Sequence, residues 1–144
     1  MNFELYLAHG QAFIREVAQE LQAPGDLRSA GRVTRAVLHT LRDRLTPQEA
    51  VDLAAQLPVL LKGIFFDGWR LARSPDKTIR SVEDFVDVMR LEDQRDEIDF
   101  PSDVVAVMAA QAVFRVLKRH VSAGEVDDVT GQLPKRLKHL WADA

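Results

Sequence analysis

The sequence predicts an all-α fold of two pseudo-repeated halves packed as one compact helical domain, on three observations. Apolar residues recur at steps of three and four almost throughout, and no segment alternates with period two. The chain also echoes itself: from Ala36 to Asp67 it matches the stretch 76 positions later without a gap, with Ala36-Val37 falling on Ala112-Val113, Glu49 on Glu125 and Gln56-Leu57-Pro58 on Gln132-Leu133-Pro134. A repeat of this length reads as one supersecondary unit used twice, each copy burying its apolar face partly against the other. The expected halves are residues 1–72 and 73–144, with about four helices each.

The elements follow in order. Leu5, Phe13, Ile14, Val17, Ala18 and Leu21 give a first helix that Pro24-Gly25 breaks. Asp26 is placed to cap a second, whose stripe of Leu27, Ala30, Val33, Val37 and Leu41 ends near Leu45. Thr46-Pro47-Gln48-Glu49 has the form of a capping box, in which the threonine oxygen takes the N3 amide and the glutamate reaches back to the cap amide. The third helix should therefore span 47–57. Proline disfavours helix at the residue before it and suits the first position of a new one, so Leu57-Pro58 marks a corner into a fourth helix near 58–69. Residues 70–78 look like the connection between halves.

Ser81 opens the second copy as a cap, leading into Phe85, Val86, Val88, Met89 and Leu91. Here the offset to the first helix is 72, so about four extra residues fall in the acidic stretch from Glu92 to Phe100, which reads as a solvated loop. Pro101-Ser102 then starts the counterpart of the long second helix. Ser122-Ala123-Gly124-Glu125 repeats the capping box, and Leu133-Pro134 repeats the corner.

Composition bounds the class. The 144 residues are 47% hydrophobic and 28% charged, as in an ordinary single globular domain. Without cysteine there are no disulfides, thiolate zinc sites or cysteine nucleophiles. No apolar run has the length of a membrane span, and Met1-Asn2-Phe3-Glu4 lacks the basic-then-apolar pattern of a signal peptide. The expectation is a cytoplasmic protein with no membrane partner. A net charge of −3 does not advertise nucleic acid, although nine acidic residues gather between Glu83 and Asp103 and basic ones after Arg115.

Several stretches carry a family resemblance: Phe13-Ile14-Arg15-Glu16-Val17-Ala18, the run from Ala30 to Arg44, Ala55-Gln56-Leu57-Pro58, Asp67-Gly68-Trp69, and Val113 to Val129. Together they resemble the bacterial domain of unknown function 2267 family over nearly the whole chain. The resemblance implies a soluble bacterial helical protein with tandem related halves. It implies no activity and no site residues, because that family has none assigned.

No catalytic, cofactor or metal site emerges from the motifs. His9, His39, His120 and His139 form no pair at helical ligand spacing, and the acidic stretch lacks the spacing of a calcium loop. There is no nucleophile elbow and no glycine-rich phosphate loop. Glu49 with Asp52, and Glu125 with Asp128, share helix faces, but the positive end of a helix dipole already accounts for acids in a first turn.

The leading expectation is a non-enzymatic cytosolic protein-interaction or scaffold module, with the same or another protein as partner. Its candidate contact is aromatic. Phe65 and Trp69 share a helix face while Phe66 points about 100° away, so one face cannot bury all three; Trp141 stands at the position of Phe65 in the second copy. One alternative is a nucleic-acid-binding regulator using Arg115, Lys118, Arg119, Lys135, Arg136 and Lys138. Another is a small-ligand sensor or enzyme with a site between the halves.

Overall fold

The computed structural model describes residues 1–144 and is helical throughout, with no strand. The first four helices are α1 (Phe3–Glu20), α2 (Leu27–Arg44), α3 (Pro47–Ala55) and α4 (Val59–Phe66). A 3-10 turn, Leu71–Arg73, leads to α5 (Val82–Glu92) and the short α6 (Asp96–Asp99). Then come α7 (Asp103–His120), α8 (Ala123–Gln132), a second 3-10 turn at Lys135–Leu137, and α9 (Lys138–Ala142). The bounds of α2 and α7 lie 76 positions apart at both ends, and α3 and α8 begin at the same interval.

Caps set these bounds. Asn2, Asp26, Thr46, Ser81, Ser102 and Ser122 each accept the N3 amide of the helix that follows, which satisfies one donor the helix cannot use internally. At α5 the full box forms, with Asp84 reaching back to the Ser81 amide. At α3 and α8 the expected box forms only by half, because the Thr46 and Ser122 amides donate to Gln132 and Gln56 instead.

The central element is α2, packed against α1, α4, α5 and α7. Enclosure on several sides obliges its polar residues to find partners inside the protein. Thr34 and Thr40 donate to the carbonyls of Ala30 and Ala36, and buried Arg42 donates to Phe65 O at 2.8 Å and Asp67 O at 3.0 Å, closing the end of α4. Lys118, 76 positions after Arg42, closes α9 in the same manner through Trp141 O. One buried cluster runs through all the long helices, from Phe13 and Leu38 to Phe114 and Trp141. Helices α1 and α4 approach closely at Gly10, where a Cβ would stand 2.7 Å from Leu60 Cδ1.

Two expectations need correction. The fourth helix ends at Phe66 instead of 69, because Gly68 takes a positive φ of 70° and turns the chain back. The acidic stretch is no solvated loop: it contains α6, and Asp93 and Asp99 are buried.

Candidate functional site

The aromatic residues are largely absorbed by the fold. Phe65 is fully buried, its carbonyl accepting from Arg42 of α2; Trp141 is buried edge-on to Phe114, with the Lys118 ammonium 4.8 Å from its ring centre. The turn at Gly68 brings Trp69 back onto Phe66, ring centres 5.4 Å apart, and Trp69 Nε1 donates to Ser74 Oγ at 2.9 Å. Phe66 and Trp69 remain half-buried, so their outer edges are what this cluster offers at the surface.

The basic residues divide into two groups. Arg115 donates to Glu20 at 3.0 Å, and Arg119 pairs with Glu20 and Glu16, all across the α1–α7 contact. Hydrogen bonds from Arg119 and Arg115 hold the Glu20 carboxyl below its ordinary range. Lys118 is committed to the end of α9. That leaves exposed Lys135 and Arg136 and half-buried Lys138, with Arg80 joining the first two around a shallow depression.

A different surface is apolar and accessible. The start of α5 carries Val82 and Val86 one turn apart, and the start of α7 carries Val104, Val107 and Met108 at helical spacing. Where the two helices pack they leave a groove of about 320 Å³ between these side chains, with Glu83, Asp87 and Asp103 on its rim. Val104 is 68% exposed and Met108 60%. Arg90 steadies one edge by donating to Asp103 at 2.9 Å and to Phe100 O at 3.1 Å, while Glu83 and Asp87 enter no ion pair.

The sequence held a signal for this groove. Seventy-six positions before Val104, Val105, Val107 and Met108 stand Arg28, Ser29, Gly31 and Arg32. There the surface is spent on a bracket: Asp99 accepts Ser29 Oγ at 2.7 Å and Arg32 Nε at 2.8 Å, which fastens the acidic segment to α2. Burial, and then the neighbouring Asp99 carboxyl, push Asp93 up to about 6. Beside this bracket, His39 is enclosed, with Nδ1 3.0 Å from Glu92 and Nε2 2.6 Å from Ile64 O. Both ring nitrogens are thus used within the fold, and the hydrogen bond from His39 lowers the Glu92 carboxyl.

A second unusual place lies where α3 meets α8. Glu49 and Glu125 occupy the third position of their helices, yet neither reaches back to its cap amide. The Thr46 amide donates instead to Gln132 Oε1 at 3.2 Å, and the Ser122 amide to Gln56 Oε1 at 2.6 Å. Each cap residue's own amide is thus taken by a glutamine at the end of the opposite helix, and the two glutamates are left facing each other.

A family model described as "Uncharacterized conserved protein (DUF2267)" matches residues 10–140, most of the chain. No curated protein matches it.

Proposed function

The chain belongs to the DUF2267 family, and we propose that it is a bacterial, cytoplasmic, non-enzymatic interaction module whose α5–α7 groove receives an amphipathic helix with basic residues flanking its apolar face. The carrying observation is the exposure of Val104 and Met108 in an apolar groove edged by Glu83 and Asp87, which enter no ion pair, and by Asp103, which Arg90 already holds. An apolar stripe at i, i+3, i+4 and i+7 matches a groove between two helices, and lysines beside it would meet the acidic rim. Covering what remains exposed of Val104 and Met108 is worth on the order of 2–4 kcal/mol before the costs of association, which suits a reversible contact. The family match and the absence of any helix long and apolar enough to cross a membrane are consistent with this reading.

The proposal treats residues 1–72 and 73–144 as two copies of one unit. Helix bounds recurring 76 positions apart support that, as does the exchange of caps between Gln56 and Gln132. In the copied unit, the groove is a local departure of the second copy. A nucleic-acid contact draws less support, because Arg115 and Arg119 are already paired with acids of α1. The aromatic edges of Phe66 and Trp69 remain a second place where a protein partner could touch.

Two labelled model peptides test the groove, each an amphipathic helix with the same leucine face, one flanked by lysine and the other by glutamate. By fluorescence anisotropy the lysine peptide should bind and the glutamate peptide should not. Binding should be lost in a Val104→Glu, Met108→Glu variant and retained in Phe66→Ala. Equal binding of both peptides, or binding indifferent to the groove variant, contradicts the proposal.

A further inference from the structure

The glutamates released from capping are placed as ligands. Glu49 and Glu125 are only 8% and 6% exposed, and one carboxylate oxygen of each, Oε1, is sealed from solvent without a hydrogen-bond partner. A buried carboxylate oxygen left bare is costly, so the arrangement calls for a proton or a cation. No ion pair of the molecule includes either residue or Asp128. Asp128 lies one helical turn after Glu125 on the solvent side, and one oxygen from each of the three lies within 4.8 Å of the others. Two oxygens on one calcium ion, each at about 2.4 Å, can be no more than about 4.8 Å apart, so the three can share a single ion after small adjustments.

We propose that Glu49, Glu125 and Asp128 form a binding site for one hard divalent cation of the calcium or manganese type. Three carboxylates and no nitrogen or sulfur donor select for such ions over zinc or copper. Exposed Asp128 leaves a side open through which the ion enters and water completes its coordination. The cation bridges α3 and α8, and so ties together the segments that exchange glutamine caps.

The pair could instead hold a shared proton, and the experiment separates the two. Glu49 is pushed up to about 8 by burial first, and then by the Glu125 carboxyl and the charges of Asp128 and Asp52. The full-length chain, stripped with a chelator and desalted, is titrated with manganese chloride at about pH 8, and free Mn²⁺ is followed by electron paramagnetic resonance. One saturable site per chain is expected, with calcium competing for it. Asp128→Asn, at an exposed position that leaves folding intact, should weaken binding about tenfold or more. Glu125→Gln should weaken it further. Asp52→Asn should weaken it far less than Asp128→Asn, because that carboxylate lies outside the group, accepts from Gln48 at 2.9 Å and acts on Glu49 only through its charge. No saturable uptake means a shared proton only and overturns the proposal. Uptake indifferent to Asp128→Asn places the ion elsewhere and also overturns it.

Discussion

Glu49 occupies the place where a helix-start glutamate ordinarily serves its own cap, and here a residue 86 positions away does that work. Its sequence position gives the helix start correctly and hides the consequence, since nothing local indicates that Gln132 will take the Thr46 amide. The freed carboxyl carries a pH signature. In chelated protein the folded state keeps a proton on Glu49 up to about pH 8, whereas the unfolded chain releases it near the ordinary 4.5. The stabilisation is therefore complete below about pH 4.5 and declines as pH rises towards 8. Asp93 contributes a decline of the same sign that ends lower, near 6. Urea midpoints measured across this range should fall less steeply for Glu49→Gln than for the parent, with the difference accumulating from about pH 4.5 to about pH 8. Parallel curves would show that the pair does not titrate as described.

At the scale of elements, stretches that match 76 positions apart in the sequence form unequal helices. α4 starts with Val59 and Leu60, whereas the matching place in the second copy has Lys135 and Arg136. There the chain forms the 3-10 turn Lys135–Leu137 before α9 instead of a continuous α-helix. The corners at Pro58 and Pro134, and all the serine and threonine caps, were legible because each depends on residues within four positions. The exchange of glutamines was not, because it depends on packing of α3 against α8. It should be measurable. Gln56→Ala removes the 2.6 Å acceptor of the Ser122 amide, at a place where water can partly replace it. The expected cost is about 0.5–1 kcal/mol by chemical denaturation. Ser122→Ala should cost about 1 kcal/mol, and the double variant less than the sum, because both act on the same helix start. Strict additivity would mean that the Gln56 contact does not support the α8 cap.

For the whole molecule, helical periodicity made the all-α class plain, and the 76-residue echo anticipated the recurring bounds. The aromatic argument from sequence was sound for an isolated helix, which cannot bury Phe65, Phe66 and Trp69 on one face. It could not include the turn at Gly68 that folds Trp69 back, nor the burial of Phe65 in the core. The groove was visible in principle in the exchange of Arg28, Ser29, Gly31 and Arg32 for Val104, Val105, Val107 and Met108, but only once α7 was known to expose that face. Residues 76 positions apart in the sequence echo thus do different work: Ser29 and Arg32 in α2 hold the acidic segment in place, and Val104 and Met108 in α7 present an apolar surface. The most direct test of this account is a methyl NMR titration of the full chain with the lysine-flanked amphipathic helix. The account predicts shifts centred on Val82, Val86, Val104, Val107 and Met108; shifts centred on the methyls around Phe66 and Trp69, with the groove unchanged, would contradict it.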